Sequence, residues 1–304
     1  MRRISRRAVL RLFSCVLVLL SMFPVDIHPG SLHSAKGGDG QFSGRQGQVL
    51  LVMLPVQGEP LRVVGQFLER EIPFFPAVSQ MKDSYAFSWL LGLDMEDKPG
   101  AHELRVEVSY PEHQERRSYQ VLVMKEKFRV EHITVPKEKD QLDEQAVERY
   151  KAEQVQVREV LQAVSADRLW EGVFVEPVRG MATGKFGSLR VINGTPRRPH
   201  NGEDIPAPTG TDVKAMNTGV VRLAVDHLFP GKGVIVDHGL GFYSMYFHLS
   251  EILVQPGQAV TKGQVIGKVG ATGRATGPHL HWGVSLNRAR VNPYAFFKLP
   301  LEGR

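Results

Sequence analysis

The sequence predicts a mainly β protein: a small N-terminal β-sandwich, a helical linker, and a C-terminal antiparallel β-sheet domain. Three observations carry this. Short apolar runs separated by turn residues occupy residues 46–136, a stretch of helical periodicity occupies 140–165, and a glycine-rich series of short apolar runs follows from 174 onward. The chain of 304 residues has room for two modest domains.

In the first module, 48–55, 61–64, 85–91, 103–108 and 117–124 read as strands. Gly58-Glu-Pro60, Asp97-Lys-Pro-Gly100 and Tyr110-Pro-Glu112 supply turns between them. Several short strands at this spacing predict a sandwich. His102 and His113 are isolated within it and carry no motif. The next segment, 137–169, reads as a helical linker: Leu142, Ala146, Val147, Tyr150, Val157, Leu161 and Val164 recur at helical intervals among charged residues. Its expected role is a spacer packed between domains. In the third region, 170–304, strands are expected at 234–238, 242–247 and 265–269.

Ahead of these modules, residues 1–25 read as a signal peptide or N-terminal anchor and 26–45 as a flexible linker. Five of the 38 basic residues (Arg2, Arg3, Arg6, Arg7, Arg11) precede an uncharged apolar run at 12–23. That run is short for a membrane span, which needs about 20 residues. Ser5-Arg6-Arg7 fits a twin-arginine signal, and the same stretch fits a general secretory signal; an uncleaved anchor is a third form. The expected location is the periplasm or cell envelope, with the membrane touched only through this segment. Cys15, the single cysteine, lies inside the apolar run rather than after it, which argues against a lipid anchor. Removal of the segment would leave no cysteine, so a metal site would have to use His and carboxylates. Without the five arginines the formal charge of +6 falls to within one unit of neutral, and nucleic acid is not an expected partner.

Six of the eleven histidines lie in the last 105 residues of the chain, one of them in His200-Asn-Gly-Glu-Asp204 and two in Gly277-Pro-His279-Leu-His281-Trp282. On a strand, His279 and His281 address one face, and His200 and Asp204 can also share a face. Two His and one Asp make a hydrolytic zinc set with one position left for water. A further histidine outside the set can move a proton or steady an oxyanion. Spacing alone does not say which three residues would bind the ion, nor name the substrate.

The C-terminal segment resembles the lysostaphin-type, or LytM-like, zinc endopeptidases, which cleave peptide cross-links in peptidoglycan. The likeness spans about 174–293. It runs through Phe186-Gly187, His200-Asn-Gly-Glu-Asp204-Ile-Pro-Ala-Pro-Thr-Gly210, Val236-Asp-His-Gly-Leu-Gly241, Tyr246-Phe-His248-Leu-Ser250 and Gly270-Ala-Thr-Gly-Arg-Ala-Thr-Gly-Pro-His279-Leu-His281-Trp282. The resemblance implies His200, Asp204 and His281 as ligands of one Zn²⁺ per chain, and His248 and His279 as catalytic histidines beside it. It implies peptidoglycan stem peptides as substrate and other wall enzymes as partners. The alternative reading is a non-catalytic or latent wall-binding regulator; the filled ligand positions count against it. Trp282 and His238 read as structural, and His227 has no motif. Glu203 points away from Asp204, and Arg190, Arg197 and Arg198 read as solvent-exposed.

Overall fold

The computed structural model describes residues 41–77, 84–134 and 143–301. The expected export segment, Cys15, the linker up to residue 40, and Leu142 lie outside these residues.

The N-terminal module is a two-sheet sandwich. Its strands are β1 (Gln41–Arg45), β2 (Val49–Gln57), β3 (Arg62–Phe67), β4 (Arg70–Pro73), β5 (Phe75–Ala77), β6 (Ser84–Gly92), β7 (Gly100–Ser109) and β8 (Gln114–Met124). One sheet has the order β1-β8-β7-β3-β4 and the other β2-β6-β5. Alternation puts Val63 and Phe67 of β3, Leu104, Val106 and Val108 of β7, and Val121 and Val123 of β8 inward. Gln41–Arg45 corrects the linker expectation. It is a strand paired parallel to β8, because Phe42 turns into the core between polar neighbours that face out.

After the sandwich comes β9 (Val130–Ile133), and then helix α1 (Glu144–Gln162). The helix starts at Asp143, whose carboxylate accepts from Ala146 N at 2.7 Å. It ends at Ala163, where the backbone turns extended. Val157, Val160 and Leu161 pack on Leu223, Ile235, Tyr243, Met245 and Phe247, so the helix lies on the C-terminal sheet rather than merely spacing two domains.

That sheet has nine strands among the described residues: β12 (Gly202–Pro206), β13 (Asp212–Lys214), β14 (Gly219–His227), β15 (Gly231–Asp237), β16 (Phe242–Ile252), β17 (Ala259–Val260), β18 (Val265–Val269), β19 (His279–Leu286) and β20 (Ala289–Val291). Its central order, β12-β19-β16-β15-β14, is antiparallel throughout. Between helix and sheet, β10 (Leu189–Ile192) and β11 (Thr195–Pro196) form a hairpin, and β10 pairs parallel with β9.

The sandwich and the C-terminal sheet share one continuous core rather than burying two separate ones. A Cβ added at Gly92 of β6 would stand 3.1 Å from both Ala289 and Val291, so β6 lies directly against the second module. Arg290 grips the Asp94 carboxylate with Nε at 3.0 Å and its terminal nitrogen at 2.7 Å. Among the described residues no helix is long and apolar enough to cross a membrane.

Candidate metal centre

Strands β12 and β19 are in antiparallel register with Asp204 opposite His281 and Glu203 opposite Trp282. Alternation therefore sends Asp204, His279 and His281 to one face, and Glu203 and Trp282 to the other. The second face is core: Trp282 is fully buried, with its ring edge-on to Tyr294 at 5.5 Å. Glu203 is buried there too and accepts from Asn292 at 3.1 Å; burial pushes its carboxyl up. The first face carries Tyr243, Met245 and Phe247 of β16, because Phe247 stands opposite His281. Helix α1 packs on that same face.

His200 lies just before β12 and is fixed by backbone bonds on both sides. Its N–H donates to Ser188 O at 2.9 Å, and its carbonyl accepts from Gly187 N at 2.7 Å. Its Nδ1 donates to Lys185 O at 3.1 Å, which leaves Nε2 as the free acceptor. Three donor atoms then converge. His200 Nε2 is 3.1 Å from Asp204 Oδ1, His281 Nδ1 is 2.9 Å from the same oxygen, and the two nitrogens are 3.0 Å apart. Burial opposes the charge on Asp204, but the His200 and His281 side chains set against it outweigh burial and hold the carboxyl far below the ordinary carboxylate range. Burial lowers the His281 imidazole.

This triangle fits a metal. Bonds of about 2.0–2.1 Å in a tetrahedron give edges of roughly 3.3 Å, close to the three separations. Nitrogen and carboxylate donors without thiolate suit a divalent ion of zinc's type, and the three residues could hold one.

Two more histidines flank the triangle. His248, on β16, has its Nδ1 2.9 Å from Thr272 O, so the N–H points there and Nε2 stays free. Burial lowers its pKa to about 4. Its backbone is left-handed (φ 63°) where the ladder slips register, an uncommon conformation for a residue with a Cβ. His279 likewise donates from Nδ1 to Gly277 O at 2.8 Å, and its Nε2 is 3.7 Å from Asp204 Oδ1. The His248 and His279 rings are 4.7 Å apart. All five histidine and aspartate positions singled out in the sequence thus lie together.

The histidines set aside as structural do have other partners. Fully buried His238 donates from Nδ1 to Thr218 O at 2.8 Å, with Ser244 Oγ on Nε2 at 2.7 Å. His227 contacts Gln156 of α1 at 3.0 Å. One expectation is corrected. Arg197 and Arg198 are exposed, but Arg190 is not a solvated side chain: it donates to Asp204 Oδ2 at 2.7 Å and faces Glu131 of β9. Both partners are distant in sequence, and no local signal marks them.

Comparison with known proteins agrees with this geometry. Residues 198–293 match the model for peptidase family M23. A crystal structure from Pseudomonas aeruginosa assigned to peptidase M23 superposes with a TM-score of 0.64 at 32% identity, covering 83% of this chain and 94% of that one. The chain belongs to peptidase family M23. Among other M23 relatives, peptidoglycan DD-endopeptidase ShyA of Vibrio cholerae is 46% identical over 94 residues, which is 31% of this chain and 22% of that protein. DD-carboxypeptidase/endopeptidase Mpg of Neisseria meningitidis is 43% identical over 96 residues, 32% of this chain and 22% of that protein. The chain therefore matches only about a fifth of the length of these curated relatives, and all the matched positions of the M23 family model lie downstream of α1.

Proposed function

We propose that this M23 chain is a zinc-dependent endopeptidase that hydrolyses peptide cross-links of peptidoglycan outside the cytoplasm. The single observation that carries the reading is the convergence of His200 Nε2, Asp204 Oδ1 and His281 Nδ1, all within 4.8 Å of one another, beside two histidines whose free Nε2 atoms serve the same face.

Bound zinc would act as a Lewis acid on the scissile carbonyl and lower the pKa of the attacking water. The chain's own residues do the rest. His248, held neutral by burial at physiological pH, offers a lone pair at Nε2 that can take a proton from the attacking water and return it to the leaving amine. Its N–H bond to the Thr272 carbonyl fixes the tautomer this role needs. His279, with Nδ1 tied to Gly277 O, turns Nε2 toward the metal corner, where its lone pair can accept a hydrogen bond from the attacking water and help orient it. Helix α1 and the buried aromatic residues of β16 keep part of this face dry, which strengthens each of these interactions.

The substrate class follows from the relatives. Two of them are named for action on DD bonds or peptidoglycan, so direct cross-links between stem peptides are the proposed target. The zinc-loaded full chain is expected to release dimer-derived monomers from purified sacculi and from defined cross-linked muropeptides. A chelator should stop the release and zinc restore it, with the bond cut read by mass spectrometry. Intact muropeptides after incubation with protein carrying one zinc per chain would refute the endopeptidase reading. Stimulation of a separate wall hydrolase under those conditions would replace it with the regulator reading.

A further inference from the structure

We propose that Arg190 is a positioning residue for the metal ligand Asp204, and that Glu131 on the strand leaving the N-terminal module holds it in place. This rests on the reading of His200, Asp204 and His281 as the ligand set. Neither Arg190 nor Glu131 belongs to the segment that matches the family model, 198–293.

The geometry divides the Asp204 carboxylate in two. Oδ1 faces His200 and His281, while Oδ2 accepts from the Arg190 guanidinium at 2.7 Å. A carboxylate tied at one oxygen has one left for an ion; it neither rotates away nor chelates through both. In the parallel pair of β9 and β10, Arg190 stands directly opposite Glu131, so both side chains rise from the same face. Arg190 Nε is buried without a hydrogen-bond partner and lies 3.7 Å from Glu131 Oε2, while Glu131 Oε1 accepts from Ser188 Oγ at 2.8 Å. The charges also make sense together. A lone guanidinium this near a divalent cation would repel it, and the Glu131 carboxylate offsets that charge while leaving the hydrogen bond to Oδ2 in place.

The same tether supports His200. Leu189 N donates to Arg129 O at 2.7 Å, and a Cβ on Gly187 would stand 2.1 Å from the Phe128 ring, so residues 128–131 lie tightly against the loop 184–190. That loop supplies Lys185 O to His200 Nδ1 and pairs Gly184 with Asp204. The N-terminal module's exit strand thereby becomes part of the metal site's scaffold.

The test is zinc affinity of the full chain, measured by competition with a chromophoric chelator and requiring no turnover. Arg190→Ala is expected to weaken zinc binding roughly tenfold to a hundredfold, the range for loss of a group that orients a ligand. Arg190→Lys should recover part of that, because an ammonium can reach one oxygen but cannot form the planar fork. Glu131→Gln should weaken binding several-fold, and the Arg190→Ala, Glu131→Gln double variant should be no worse than Arg190→Ala alone. Thermal unfolding of the metal-free proteins controls for folding, and Glu131→Gln, which keeps shape, reads out even if Arg190→Ala misfolds. Unchanged or tighter zinc binding in both Arg190→Lys and Glu131→Gln would overturn the proposal. So would a rise in KM alone at wild-type zinc affinity, which would make Arg190 a substrate contact. Wild-type protein that takes up no zinc would instead overturn the ligand set itself, and this inference with it.

Discussion

Asp204 and His281 face each other across the β12–β19 ladder, with Oδ1 and Nδ1 2.9 Å apart. Strand register, rather than a flexible loop, therefore sets the distance between two of the three proposed ligands. Removing either imidazole of the set should leave the sheet standing and empty the site. His281→Ala and His200→Ala are expected to lose stoichiometric zinc and at least about a thousandfold in kcat/KM, the worth of several kcal/mol of charge stabilisation. Metal analysis beside muropeptide kinetics checks this; a zinc-replete, active His281→Ala protein would dismiss the assignment.

Gly202 makes the same register vulnerable from the neighbouring position. A Cβ there would lie 2.6 Å from the Trp282 carbonyl oxygen and 2.7 Å from His281 Nε2. The carbonyl belongs to the ladder and cannot yield cheaply. Gly202→Ala should push β12 off β19, weaken zinc binding by at least about tenfold, and cost about 1–3 kcal/mol of stability through overpacking. Chelator competition and a denaturation midpoint measure the two effects. Wild-type values for both would mean that the ladder is looser here than the register indicates.

His248 separates proton handling from metal holding. Its left-handed backbone suits Asn better than Ala, so His248→Asn preserves the turn while removing Nε2 from the reaction. The expected result is a kcat lower by about 10²–10⁴ with zinc content and KM near wild type. Loss of zinc along with activity would instead make His248 part of the ligand shell.

Which parts of this architecture were readable beforehand follows the range of the interactions. His279 and His281 on one face, Trp282 and Glu203 on the other, needed only two-residue periodicity, and β19 has that pattern. The approach of His200 and Asp204 to His281 crosses 77 residues or more and came from resemblance, because spacing within each motif is silent on it. Arg190 looked solvated because nothing nearby in sequence pairs with it; its partners are on β9 and β12. The polar run ending at Arg45 hid β1, whose single large apolar residue, Phe42, is too little for a pattern. Glu153 is one of the charged residues between the apolar positions of the helix, yet it is buried.

That carboxylate explains why α1 sits where it does. Both oxygens of Glu153 accept from Leu228 N, at 3.0 and 2.9 Å, while Arg149 approaches one of them at 2.7 Å and donates to Asp226 O at 3.0 Å. The helix thus caps the β14–β15 hairpin tip, and the tip reaches the site: Pro230 O accepts from His248 N at 2.9 Å. Glu153→Ala should cost about 2 kcal/mol, as for a buried hydrogen bond to a charged group, and speed hydrogen exchange at the Leu228 and His248 amides. A smaller fall in kcat than that of His248→Asn should accompany it. Unchanged exchange at Leu228 would show that the cap does not hold the tip.

His238 gives the fold a pH dependence separate from catalysis. It is buried beneath the β15–β16 turn, and burial lowers its pKa from the ordinary 6.5 to about 4 against the opposing pull of the Thr218 carbonyl and Asp237. The folded state therefore binds fewer protons than the unfolded chain between those values. Stability is full above pH 6.5 and declines as pH falls toward 4, by roughly 3 kcal/mol in all for this residue. His238→Gln can keep a donor toward Thr218 O and an acceptor toward Ser244 without titrating. The variant is expected to be less stable than wild type at pH 7.5, with a gap that narrows steadily between pH 6.5 and 4.5. Urea unfolding of both proteins across that range, in metal-free form, isolates the residue because every other titrating group is common to the two. Parallel stability curves would show that the proton demand lies elsewhere in the fold.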